Sequence, residues 1–387
     1  MNNKKLKICA VSTTRADYGI MRPLLRKLDK QEWAELIIVV TGTHLLNKYG
    51  YTINEIIDDG FSIDERISII KNRNNTVEDI SEIMSKAIRY FTEYFSRTKP
   101  DLVILLGDRF ETFQIAAAAT ITRTPIVHIA GGETTQGAVD EAFRHGITKM
   151  SYLHFTETEE YRKRVIQLGE DPKRVINTGS LGVENVLNTK CLTKKQLAKQ
   201  INFDLTNPYC VVTFHPVTLE ENSPINQLNE LLKLIENKKD YNFIITKSNA
   251  DLGGEVINNR LDEFEKDHDN CIVVASLGTL KYFSAIKYSK CVIGNSSSGI
   301  VETPSFGIAT INIGDRQKGR VQGNSIINCK PQYKNISSAF NQALLFDQKV
   351  INPYMKKGSS NIMVRMIKNT FYNRKIDLMK RFYDLEF

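Results

Sequence analysis

Short, almost wholly apolar runs alternate along the chain with longer stretches in which apolar residues recur every three or four positions. The short runs at residues 6–12, 36–41, 101–106, 124–127, 153–156 and 175–177 predict strands. Between them, residues 20–28, the stretch from the N-cap candidate Thr76 to about Thr98, the four-alanine segment after Gly107-Asp108-Arg109, and residues 138–150 and 159–168 predict helices. Strands without a polar face, alternating with helices, predict a parallel sheet covered on both sides. GSLGVENV and the polar, lysine-rich residues to about Asn207 read as a passage between domains. The pattern then restarts, with strands at 209–214, 243–246, 271–275, 291–293 and 309–313. Helices are expected at 225–237, at 279–288 and through Glu302, and helical spacing returns from about Ser359 to Phe387. The fold class is therefore α/β, with two doubly wound units in tandem.

Composition narrows this picture only a little. At 387 residues two domains are expected, and 41% apolar with 25% charged residues is ordinary for a globular protein. The N-terminus enters a strand of about seven residues without a signal-peptide core, and no apolar run approaches the ~20 residues of a membrane span. A cytoplasmic protein with no membrane partner is expected. The six cysteines form no CxxC pair, and most sit in strand-like runs, so they read as buried hydrophobes in a reducing compartment. The net charge of +8 is dispersed, without a basic stripe bearing interleaved aromatics, which argues against nucleic acid and leaves room for a small anionic ligand.

The chemistry-bearing residues fall at predicted strand ends: Arg15, Asp108, Glu133, His215, Asn249, Ser296-Ser297 and Arg320. Open α/β sheets keep their ligands at that edge. The densest stretch is residues 128–145, HIAGGETTQGAVDEAFRH. Gly131-Gly132 lets the chain leave a strand at angles closed to other residues. Asp140 and Arg144, four apart, share a helix face; the plainer reading is a surface ion pair. Asp108 is expected to cap the helix after it. With Glu133 and Asp140 it would also form a carboxylate group whose members raise one another's pKa, which suits proton transfer. Gly294-Asn295-Ser296-Ser297-Ser298-Gly299 before a helix suits phosphate, whereas one serine would suffice as a cap. Glu302, about a turn later, could take ribose hydroxyls or simply sit near the positive end of the helix dipole. His215, fixed by Pro216, is read as facing a ligand. No GxGxxG, P-loop, HExxH or EF-hand pattern occurs, so no nicotinamide or flavin cofactor and no metal is expected.

Six segments in this order and spacing, STTRADYG, GDRFE, HIAGGETTQGAVDEAFRHGITKMSYLHF, TFHPVT, KSNADLGG and GNSSSGIVETPSFGIATINIGDRQKGR, resemble the hydrolysing UDP-N-acetylglucosamine 2-epimerases of sialic-acid-type sugar pathways. The resemblance implies a GT-B fold of two Rossmann-like domains, residues 1–178 and a UDP-binding domain at 179–365. A last helix, 366–387, crosses back to the first domain. It implies a UDP-amino-sugar substrate, no cofactor and no metal, and a homo-oligomer, dimer or tetramer, is expected. Position by position, Asp108, Glu133 and Asp140 match the family's catalytic carboxylates, and Arg144 and His145 match the RH after them. His215 matches the histidine facing the diphosphate. Arg15, Asn249, Ser296, Ser297, Glu302 and Arg320 match residues around UDP. One departure is Ala130, where the sialic-acid branch often carries a larger polar residue. The same family includes enzymes acting on UDP-2,4-diacetamido-2,4,6-trideoxy sugars of the legionaminic acid pathway, so the sugar itself stays open, and the related non-hydrolysing epimerases, which share the fold and re-add UDP instead of water, are the other alternative. The division of roles between the carboxylates stays open too.

Overall fold

The computed structural model describes residues 4–70, 76–136, 139–217, 224–248 and 253–386. The chain divides into two compact units. The first takes residues 1–133, 140–184 and 356–387; the second takes 134–139 and 185–355.

In the first unit, β1 (Leu6–Ser12), β2 (Ala34–Thr41), β3 (Glu65–Ile67), β4 (Leu102–Leu106), β5 (Ile126–Ile129), β6 (Leu153–Thr156) and β7 (Val175–Asn177) form one sheet. Its order is β3-β2-β1-β4-β5-β6-β7, with every pair parallel. The order reverses between β1 and β4, and the carboxyl ends of those two strands flank the switch point. Alternate strand residues feed opposite cores. Ile8, Ala10, Leu102 and Ile104 pack on one face with helices Arg15–Asp29 and Ser359–Phe371. Cys9, Val11, Val103 and Leu105 pack on the other with helices Val77–Thr98 and Phe110–Ile121. Thr76 caps its helix in a reciprocal capping box with Asp79.

The second unit repeats the plan. β8 (Tyr209–Thr213), β9 (Asn242–Thr246), β10 (Cys271–Val274), β11 (Val292–Gly294), β12 (Thr310–Ile313) and β13 (Ile326–Cys329) are ordered β10-β9-β8-β11-β12-β13, again all parallel. The switch point lies between β8 and β11. Cys210 and Val212 point into one core, Tyr209 and Val211 into the other. Among the described residues no helix is long and apolar enough to cross a membrane.

The stretch from Gly179 to Asn207 contains the change from the first unit to the second, at Glu184/Asn185, and is built largely of two helices, Leu181–Asn188 and Lys194–Ile201, the second capped by Thr193 in a box with Gln196. Two expectations need correction. Helix Ser359–Phe371 does not run on to residue 387. Tyr372 turns extended (ψ 124°) and Asn373 takes φ 56°, so the hydrogen-bond ladder stops there. Residues 373–386 have no regular secondary structure; Met379 and Phe382 are exposed, and polar contacts tie the segment down as a strap. The Lys380 ammonium donates to the Glu170 carboxylate (2.8 Å) and to the Ser151 carbonyl (2.7 Å), and Tyr383 N–H donates to Gly169 O (3.0 Å). Finally, Asp108 is not a cap. Arg109 holds the N-cap position of helix Phe110–Ile121 and makes no side-chain cap bond.

Helix Ser359–Phe371 buries Met363, Ile367 and Phe371, one per turn. Each buried side chain of this size is worth about 1.5–3 kcal/mol. Its N-terminus is met by Glu184, whose carboxylate accepts from Ser360 N–H (2.6 Å) and the Ser360 hydroxyl (2.6 Å). A carboxylate at the positive end of a helix is well placed electrostatically.

Candidate active site

Each unit concentrates polar side chains at the carboxyl edge of its sheet, beside the switch point. In the first unit Arg144 organises the edge. It is completely buried, and it lies on helix Asp140–Met150. A buried guanidinium must be compensated and hydrogen-bonded. One Nη donates to the Glu133 carbonyl (3.1 Å) and to the Glu141 carboxylate (2.9 Å), and the other pairs with the Asp108 carboxylate. A single fork thus ties the end of β4, the loop after β5 and the next helix together. Glu133 is buried; Asp140 is half-buried at the first position of that helix. His145 sits one residue beyond Arg144 and pairs through Nε2 with the other Glu141 oxygen (3.2 Å).

The backbone between β5 and Glu133 supports this knot. Ala130 takes φ 64° and Gly132 φ 78°. A Cβ on Gly132 would strike the Tyr161 carbonyl, so glycine is needed there. Ala130 is a non-glycine residue in the left-handed region, which costs about 1–3 kcal/mol and marks a conformation imposed by its surroundings. Behind it, His128 bridges Gly107 O (2.8 Å) and the Thr148 hydroxyl (3.2 Å). Burial pushes its pKa down to about 3, so the ring is neutral.

At the end of β1, Arg15 opens helix Arg15–Asp29, whose cap Thr14 forms a box with Asp17. Burial lowers the Arg15 pKa, and nearby Glu55 opposes that shift. His44, fully buried, lies between the hydroxyls of Ser12 (2.9 Å) and Thr52 (2.8 Å), and burial pulls its pKa to about 4. Next to Asp108, Arg109 pairs with the fully buried Glu111 at 2.7 Å.

In the second unit, β8 ends at Thr213 and His215 lies two residues beyond, buried. Its peptide has outrun the ladder, and the Asn295 side chain replaces it: His215 N–H donates to Oδ1 (2.7 Å) and Nδ2 donates to His215 O (2.8 Å). The Asn295 carbonyl in turn accepts from Gln317 Nε2 (2.9 Å) and Arg316 Nη1 (3.2 Å). Gly294 turns the chain with φ 138°, where a Cβ would collide with the Thr213 carbonyl. Ser296 then caps the five-residue helix Ser297–Val301 through Ser298 N–H (3.4 Å). Glu302 is buried; it is the C-cap of that helix, away from the end that the serines open, and also the N-cap residue of the 3-10 helix Thr303–Phe306, without a side-chain cap bond. Arg320 is half-buried in the turn after β12, with its N–H on Gln317 O (3.2 Å). Asn249 lies outside the described residues.

The structure therefore joins Asp108, Glu133 and Arg144 in one bonded group, with His145 attached through Glu141. Asn295, inside a quoted motif but not singled out, is the link between three strand ends of the second unit. Its buried amide was masked in the sequence by the serines beside it. Among the described residues no group of three His, Cys, Asp or Glu side chains could hold a metal ion.

Comparison with known proteins bears on this pair of edges. The sequence profile of UDP-N-acetylglucosamine 2-epimerase matches residues 26–368. The chain belongs to the UDP-N-acetylglucosamine 2-epimerase family. Within that family it is 42% identical to polysialic acid biosynthesis protein P7 of Escherichia coli, over 98% of this chain and 97% of the relative. It is 38% identical to the GDP/UDP-N,N'-diacetylbacillosamine 2-epimerase (hydrolyzing) of Campylobacter jejuni, over 98% of this chain and 100% of the relative. The crystal structure of a Neisseria meningitidis UDP-GlcNAc 2-epimerase bound to UDP-GlcNAc superposes with a TM-score of 0.76 at 20% identity, covering 94% of this chain and 100% of that one. The two Rossmann-like units of this epimerase-family chain are thus those of the GT-B fold.

Proposed function

We propose that the chain is a hydrolysing UDP-sugar 2-epimerase that converts UDP-N-acetylglucosamine and water to N-acetylmannosamine and UDP. The observation that carries this reading is the Arg144 knot: Asp108 and the Glu133 segment, from neighbouring strand ends, are fixed by one buried guanidinium in a chain of this family. Two relatives at 38% and 35% identity are named as hydrolysing 2-epimerases.

Inversion at C2 without a hydride acceptor proceeds by loss and return of a proton. The C1–O bond to UDP breaks as a carboxylate, Asp108 or Glu133, takes the C2 proton, giving a 2-acetamidoglycal. Water then adds across the double bond, its hydroxyl to C1, while a proton arrives at C2 on the opposite face. Asp140 positions sugar and water. Negative charge grows on the departing diphosphate. Donors from Arg15, His215, Arg320 and the Ser296-Ser297 turn would stabilise it mainly in the transition state. Glu302 would hold ribose hydroxyls, and Asn249 belongs to the phosphate side. Arg144 aligns the acids, with His145 steadying Glu141 behind it.

A second reading, hydrolysis of a UDP-2,4-diacetamido-2,4,6-trideoxy sugar, is favoured by one feature: Ala130 offers no polar group at its position. Incubation in D2O with each UDP-sugar, followed by product NMR, tests both readings. Free UDP and a manno-sugar carrying deuterium at C2 are expected, with no acceptor added. Retention of the original C2 hydrogen, or dependence on an acceptor sugar, would overturn the proposal.

A further inference from the structure

His215 is held twice over, and the second hold reaches it from outside the strand ends. Its ring Nδ1 lies 3.0 Å from the Ser248 hydroxyl. Ser248 is itself two residues past the end of β9, so its peptide, like that of His215, has no neighbouring strand to bond. Asn258, on helix Gly254–Lys266, supplies both missing partners. Its Oδ1 accepts from Ser248 N–H (2.8 Å) and its Nδ2 donates to Ser248 O (3.3 Å). Asn295 grips the His215 peptide in the same way. In both clamps the backbone donor must meet the amide oxygen and the carbonyl must meet the amide nitrogen, so each side chain has one orientation. Asn is a poor residue for a helix interior, and its neighbour Asn259 is exposed, so Asn258 has this clamp as its structural reason.

We propose that Ser248 and Asn258 are positioning residues that select the tautomer and ring orientation of His215. Asn258 fixes the Ser248 peptide, which aims the hydroxyl. A serine hydroxyl can donate to Nδ1 or accept from it; we assign it as the donor, since only the ring with its hydrogen on Nε2 would present an N–H, and not a lone pair, to a phosphoryl oxygen. This assignment rests on the diphosphate reading of His215 given above.

The test uses the full chain. For Ser248→Ala and Asn258→Ala, kcat should fall about 10- to 100-fold, as expected when a reacting group is misaligned rather than removed. KM should stay within about threefold, because the lost interaction acts in the transition state. Ser248→Thr, which keeps the hydroxyl, should restore most of the rate. In a His215→Asn background neither alanine should cost anything more, since both act through the missing ring. A purely structural role would predict additive losses, and additivity would refute the proposal. So would full activity of Asn258→Ala. An independent reading comes from long-range 15N–1H spectra of histidine-labelled protein, with six histidines to assign. His215 should carry its hydrogen on Nε2 in the parent and lose that preference in both alanine variants. An unchanged spectrum would overturn the proposal even if no UDP-sugar were turned over, a result that would defeat the proposed reaction instead.

Discussion

Replacing Asp108 by Asn separates chemistry from nucleotide affinity. The change removes one negative charge from the carboxylate that faces the buried Arg144 fork, but keeps an oxygen able to accept from the guanidinium. Arg144 retains the Glu141 carboxylate at 2.9 Å and the Glu133 carbonyl at 3.1 Å, so it is not left uncompensated. A hydrogen bond to a charged group is worth about 1.5–3 kcal/mol and a neutral one about 0.5–1.5, so the expected loss of stability is only about 1–2 kcal/mol. Removing a proton-transfer group costs far more in rate, about 10²- to 10⁴-fold. Turnover, followed as UDP release, should therefore fall by that factor while the melting temperature moves by a few degrees. UDP affinity by calorimetry should stay within about threefold, because most proposed UDP-holding residues lie in the second unit. Asp108→Asn with more than a tenth of the parent rate would remove Asp108 from the chemistry. Loss of UDP affinity together with a collapse in stability of about 3–5 kcal/mol would show that the pair is chiefly a structural ion pair.

Other outcomes follow from the same geometry. His44 and His128 are buried neutral with pKa values near 4 and 3, so the unfolded chain binds more protons below its own value of about 6.5. Stability should fall between pH 6.5 and 5 with a slope of up to about 1.4 kcal/mol per pH unit for each ring. Urea midpoints should show it, and His128→Gln should flatten the slope; an unchanged slope would exclude His128 as a source. Gly294→Ala should cost about 1–3 kcal/mol from its backbone angle alone, and more from the Thr213 carbonyl, visible as a lowered melting temperature. Glu184→Ala should strip the N-terminus of helix Ser359–Phe371, costing about 1.5–3 kcal/mol. Faster amide exchange confined to that helix would confirm it, and unaltered exchange would count against it.

Much of the fold was legible because its strands are buried on both faces. Runs such as residues 102–106 leave no polar alternation to confuse with a surface strand, and Thr76 announces its helix through a cap. The strap at 373–386 mimics a helix in sequence because Met379 and Phe382 keep helical spacing while Asn373, the residue that breaks the ladder, is ordinary in a sequence. The sequence pattern does not predict β13 or helix Tyr333–Leu344: Ile326–Cys329 is a short, half-exposed edge strand. At the site, motifs revealed which residues gather at strand ends but not what they bond to. Asp108 looked like a cap because it precedes a helix; only the fold brings Arg144 to it, 36 positions away. Asn258 gave no signal, since its task is to complete the backbone of a residue ten positions earlier.

The first unit is assembled from three separated stretches, and residues 356–386 supply a whole helix of one core face and the strap that follows it. During synthesis the ribosome releases those residues only after the second unit has been made. Chains grow at about 5–20 residues per second, while domains of this kind can fold within seconds. The second unit can therefore finish while the first still exposes the groove that will hold Met363, Ile367 and Phe371. For many seconds the nascent chain carries an open hydrophobic seam on the half that emerged earliest. That seam is where a holdase chaperone would bind, and a stop codon near residue 355 would strand the first unit in its client state while leaving the second intact.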